Sequence, residues 1–197
     1  MKKMFFVLTS SYFILTVADL LLTFYATPDL AMEGNPLVTM LEFRWPGLIA
    51  VNIITFAIYF IMAYYAYIKY KSPVSAEKND LRRFLADITY GDPEKRSPGM
   101  TKLPKYWAPQ IACLCFSVST AMPFARLIVV AEWYLLINDI DAALFFSIVT
   151  IFPYGRIDFF IALILAWWLS FVWIGLEYRK NQKVQTPDKK DEYEQTK

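Results

Sequence analysis

WAPQIACLCFSVSTAMPFARLIVVAE, residues 107–132, decides the fold. Between Trp107 and Glu132 the only charged residue is Arg126. A helix rises about 1.5 Å per residue, so this run is long enough to cross a hydrocarbon core of about 30 Å. Pro123 is expected to kink it or open it locally, because proline cannot donate to the carbonyl one turn earlier.

Three more apolar runs flank it, at about 4–26, 48–67 and 157–176. Together they make an all-α membrane protein of four transmembrane helices. The composition agrees: 57% of the 197 residues are hydrophobic, and 16 Phe, 13 Tyr and 6 Trp give a heavy aromatic load. A soluble domain does not have this profile. Lys2 and Lys3 before the first run also fit a secretory peptide. The run is longer than a signal core and contains Asp19, so a retained helix is expected.

The spans divide the chain into a first helix pair (1–68), a basic connection (69–106), a second helix pair (107–177) and a tail (178–197) expected to be disordered. Within the connection, 76–88 reads as a short amphipathic helix and 91–104 is rich in proline and glycine. Tyr64, Tyr65, Tyr67 and Tyr70 read as an interfacial aromatic belt, and Trp167, Trp168 and Trp173 as facing lipid or a neighbouring subunit. Short interfacial segments are expected on the outer side, at 37–43 and 142–152. The second is too short for an ordinary crossing.

Charge sets the orientation. The connection carries Lys69, Lys71, Lys78, Arg82, Arg83, Lys95, Arg96, Lys102 and Lys105, and the tail is also basic. The two other connections hold Asp29, Glu33, Glu42, Asp139 and Asp141. Four crossings put the basic parts together inside, so a bacterial inner (plasma) membrane protein with both termini cytoplasmic is expected. A parallel repeat of two helical hairpins is a further reading. Ala18-Asp19-Leu20-Leu21 precedes Gly47 much as Ala125-Arg126-Leu127-Ile128 precedes Gly155. The alternative is chance similarity between apolar segments.

Asp19, Arg126 and Asp158 lie within or at the edge of the apolar runs. A charge at the bilayer centre costs at least about 2.5–3.5 kcal/mol, so such residues face a protein interior, a cavity or a partner. Counting along the helices puts Asp19, Asn52, Arg126 and Asp158 in the same outer half. Thr16, Asp19 and Thr23 share one helical face, as do Asn52, Thr55 and Tyr59, and Ser119, Met122 and Arg126. The expected site is an outward polar cavity in which Asp19 or Asp158 pairs with Arg126, rimmed by Glu33, Asp139 and Asp141. Arg156 is a second guanidinium suited to phosphate.

The absence of histidine disfavours a zinc site or a His-based triad. Cys113 and Cys115, two apart on one helix, point in different directions. No cofactor is assigned. Magnesium and calcium, which take oxygen ligands, remain compatible with the composition. Acidic residues interrupt the basic ones and no recognition motif is present, so nucleic acid is not expected as a partner.

Ala18-Asp19-Leu20-Leu21-Leu22-Thr23, followed by Glu33-Gly34-Asn35-Pro36-Leu37, resembles an uncharacterised family of small prokaryotic integral membrane proteins. That family has an Asp-x-x-x-Thr first span and a Glu-x-Asn-Pro connection. The resemblance covers about the first 45 residues, on Asp19, Thr23, Glu33, Asn35 and Pro36. It implies weight on those positions and no chemistry.

The first functional reading is therefore a binding or transport subunit for a small solute, ion or lipid. It is expected to work with membrane lipids as a homo-oligomer or with a membrane partner, and a soluble partner can dock at 69–106. The alternatives are an outer-leaflet enzyme acting on a lipid phosphate or polyprenyl-linked substrate, and a structural or regulatory membrane protein.

Overall fold

The computed structural model describes residues 2–31, 44–77, 80–94, 103–138, 151 and 157–185. Four long apolar helices span: α1 (Lys2–Ala26), α2 (Trp45–Tyr64, continued by a π-helical turn at Tyr65–Lys69), α4 (Ala108–Ile137) and α5 (Ile157–Gln185). A short helix, α3 (Leu81–Tyr90), lies between α2 and α4. The protein is all-α among the described residues, with four helices long and apolar enough to cross a membrane, as expected. The expected surface segments at 37–43 and 142–152 lie outside the described residues, Ile151 excepted.

Ring pairs show that α1 and α2 run antiparallel. Phe5 meets Phe60 at 5.5 Å, Tyr12 meets Tyr59 at 4.1 Å, and Phe24 meets Trp45 at 5.3 Å. The Trp45 indole also donates to the Pro28 carbonyl at 2.6 Å, closing the hairpin. The central helix is α4, which packs against the other three spans and most extensively against α5 and α1. Small residues such as Ala112, Ser119, Ala121 and Ala125 are buried on it, which allows close helix approach in lipid. Helix α4 is continuous through Pro123. At 30 residues it is about 45 Å long by helical rise, longer than the hydrocarbon core.

One end of the bundle carries the start of α1, the end of α2, the start of α4 and the end of α5; it is called the near end below. The connection after α2 is tied down there. Ser72 donates to the Glu177 carboxylate, which also takes Lys180. The side chain of Asn181 accepts from the Ser75 N–H and donates to the Glu77 carbonyl, each at 2.9 Å. Asp80 caps α3 by accepting from the Arg82 and Arg83 N–H groups, and Gly91 ends it in the left-handed region at φ 68°. The helix thus starts at Leu81, later than the pattern at 76–88 suggested, because the Asp80 cap fixes the first turn. Phe84, on its buried face, packs on Tyr178 of α5 at 5.4 Å.

Three expectations are corrected here. Helix α5 continues through Gln185, so 178–185 is not a disordered tail: Glu177 and Asn181 are both buried and give these turns tertiary partners. Trp173 is buried against Tyr70, with centroids 5.9 Å apart, whereas Trp167 and Trp168 are exposed, which fits a position facing lipid or a neighbouring subunit. Tyr67 is not part of an interfacial belt; it turns into the core and bonds Thr120 at 2.5 Å.

Candidate functional site: a charged cluster between three helices

Helix α1 presents Thr9, Tyr12, Thr16, Asp19 and Thr23 at alternating spacings of three and four residues. That spacing makes one seam along a helix. The last four are buried, so the seam faces protein. Opposite it, α2 buries Asn52 and Tyr59, and α4 contributes Arg126.

Arg126 joins the three helices. Its Nη1 pairs with Asp19 Oδ2, and its Nη2 donates to Asn52 Oδ1 at 3.0 Å. The side chains of Arg126 and Asp19 are 18% and 10% exposed, so the pair is largely removed from solvent. The guanidinium carbon lies 5.8 Å from the centroid of the Tyr12 ring, within cation–π reach. Asn52 is fixed in turn, because its Nδ2 donates to the Leu48 carbonyl at 3.0 Å. The Asn52 amide is therefore held with its oxygen toward Arg126 and its nitrogen toward its own helix.

Of the ten candidate site residues, the structure brings Asp19, Asn52 and Arg126 into direct contact. Asp19, and not Asp158, is the carboxylate paired with Arg126. Thr23 is buried one turn beyond Asp19 on the same face. Asp158 is buried in the first turn of α5, where a negative charge complements the helix dipole. Glu33, Asn35, Asp139, Asp141 and Arg156 lie outside the described residues.

Hydroxyl groups continue the seam below the ion pair. Thr16 donates to the Tyr12 carbonyl at 2.8 Å. Thr120 donates to the Phe116 carbonyl at 2.6 Å, which uses its only proton, so the Tyr67 hydroxyl must be the donor to Thr120. Tyr12 belongs to the site without being marked by residue type, and the three-four spacing of Thr9, Tyr12, Thr16 and Asp19 is the signal that places it there.

Just past the carboxy-terminal end of α1, Asp29 accepts from the Thr27 hydroxyl at 3.0 Å and the Ala31 N–H at 3.1 Å. The Ala31 N–H first, and then Thr27, hold its carboxyl below the ordinary value. Among the described residues, no group of three or more His, Cys, Asp or Glu side chains is placed to hold a metal ion. No family model matches the chain, and neither the curated proteins nor the solved structures give a significant match.

Proposed function

We propose that this multi-span membrane protein is a binding or transport subunit for a small solute, ion or lipid headgroup, with the Arg126–Asp19–Asn52 cluster as its recognition element. The observation that carries the reading is a guanidinium held between three helices inside an apolar bundle. An Arg in a span is costly to insert, and even a paired buried charge is often no more stable than a well-packed apolar replacement. Retaining one therefore calls for a use. Arg126 has five N–H donors, and Asp19 and Asn52 each take one. Donors are left for a ligand that accepts hydrogen bonds.

The concentration of basic residues in 69–106 and the tail supports cytoplasmic termini in a bacterial inner membrane. The matching positions Asp19, Thr23, Glu33, Asn35 and Pro36 support membership of the small prokaryotic family that the amino-terminal part resembles. The exposed apolar faces of α1 and α5 suit lipid or a second copy of the chain.

A second reading, a helix lock, is favoured by the full engagement of Asn52, whose oxygen and nitrogen are both bonded. Native mass spectrometry of the protein released gently from its own membrane separates the two. A retained small molecule or lipid, lost in Asp19→Asn and Arg126→Gln with the fold intact, is the expected result. Empty protein in every preparation, with the variants differing only in stability, would leave the lock. Turnover of a lipid phosphate that falls in Asp19→Asn would instead make the protein an enzyme.

A further inference from the structure

The core enclosed by α1, α2 and the middle of α4 contains polar atoms that the cluster above does not use. Tyr59 is 2% exposed, and its hydroxyl has no hydrogen-bond partner among the described residues. The same holds for the Thr9 hydroxyl. The Tyr12 side chain is wholly buried, and its hydroxyl faces the Arg126 guanidinium without closing a well-formed hydrogen bond to it. Tyr12 and Tyr59 stack at 4.1 Å, so their hydroxyls belong to one layer of the bundle.

A buried hydroxyl left unpaired carries the cost of desolvation with nothing to offset it. One such group is an exception that folded proteins tolerate; several along one seam need a common explanation. The residues around them do not provide it. Phe5, Leu8, Ala63 and Ala66 in the same core offer no side-chain donor or acceptor, the Tyr67 hydroxyl is engaged by Thr120, and Cys115 offers only a weakly bonding thiol. Thr9 lies two turns from the amino terminus of α1, and Arg126 closes the other limit of the seam beside Tyr12.

We infer that the α1–α2–α4 core is a binding site for water, held by the hydroxyls of Thr9, Tyr12 and Tyr59, which forms a hydrated step between the near end and the Asp19–Arg126 pair. Buried water makes two to four hydrogen bonds to groups that otherwise lack partners, and hydroxyls satisfy both its donors and its acceptors. The inference rests on the proposed binding or transport reading for its use and narrows the cargo. A seam of this chemistry passes a small hydrogen-bonding species or a proton, and it is too enclosed for a lipid headgroup.

Radiolytic footprinting of the full-length protein in lipid nanodiscs, in ¹⁸O-labelled water, reads this site directly. Ring oxidation needs water next to the side chain. Tyr12 and Tyr59 are expected to take up ¹⁸O at rates comparable to the exposed Tyr106, while Phe5 in the same core stays unlabelled. Tyr59→Phe is expected to reduce labelling at Tyr12 and to lower the unfolding temperature. Unlabelled Tyr12 and Tyr59, together with a Tyr59→Phe variant as stable as the parent or more so, means a dry core and overturns the inference. The two proposals fail separately. A dry core with a ligand still retained at Arg126 removes only the water site. A labelled core in a protein that retains no ligand removes the binding reading and leaves the water.

Discussion

A double-mutant cycle on Asp19 and Arg126 tests whether the charged pair does what its geometry requires. Asp19→Asn keeps the shape of the side chain and removes its charge. Arg126 then keeps the Asn52 oxygen at 3.0 Å and the Tyr12 side chain, whose ring centroid is 5.8 Å away. Removing one partner of a buried pair costs about 3–5 kcal/mol. The Asn52 bond and the Tyr12 ring contact are present in the parent as well and keep the stranded guanidinium partly satisfied, which puts the expected cost at the low end of that range, about 3 kcal/mol. Arg126→Gln leaves the carboxylate behind and is expected to cost about as much. The double variant buries two neutral amides that can bond each other, and is expected to cost about 1 kcal/mol. The summed singles therefore overshoot the double by about 5 kcal/mol, above the about 0.5–3 kcal/mol usual for contacting residues, because each single strands a buried charge that the double removes. Reversible unfolding in mixed micelles, titrated with denaturing detergent, measures all four corners. Additive costs, within about 0.5 kcal/mol, would refute the pairing, because that is the behaviour of sites that do not touch.

Three other perturbations report on the near end and on the turn after α1. Asn181→Ala removes two hydrogen bonds of 2.9 Å to the 75–77 backbone and is expected to cost about 1–3 kcal/mol, read as a lower unfolding temperature and faster tryptic cleavage after Lys71. Gly91→Ala puts a side chain at φ 68°, 3.1 Å from the Tyr106 ring, and is expected to cost about 1–2 kcal/mol in the same unfolding assay. Asp29 has a folded value below the ordinary 3.8, so its contribution to the turn is present above the ordinary value and lost as pH falls through the folded one. A carboxyl NMR titration is expected to show a depressed midpoint that rises in Thr27→Ala; an unchanged midpoint would remove Thr27 as a cause.

The spans were legible because lipid imposes one simple requirement. A helix that satisfies its own backbone and shows apolar side chains outward reads as an unbroken apolar run, and all four runs became helices. The membership of the charged cluster was legible for the same reason. Asp19 and Arg126 stand out against an apolar background, and Asn52 lies at a matching depth on α2. The choice of Asp19 over Asp158 was not legible. Both α1 and α5 pack on α4, so it depends on which side of α4 Arg126 occupies, and that side meets α1. Sequence position fixes depth along a helix but not its neighbours around the bundle.

The near end was less legible because the physical rule that holds inside the membrane reverses outside it. Past Leu176 the chain turns polar, and polar sequence without a visible partner reads as a solvated tail. Glu177 and Asn181 do have partners, but these are Ser72 and the backbone of Ser75 and Glu77, about a hundred positions earlier in the chain. Backbone partners leave no trace in residue type, since any residue at 75 or 77 offers the same N–H or carbonyl. Trp173, Glu177 and Asn181 nevertheless recur every four residues, one aromatic and two polar, all on the face of α5 that meets 70–77. A helical period that persists after the apolar run has ended points to packing rather than solvation. Here it was the one sign that α5 continues beyond the bilayer to hold the connection in place.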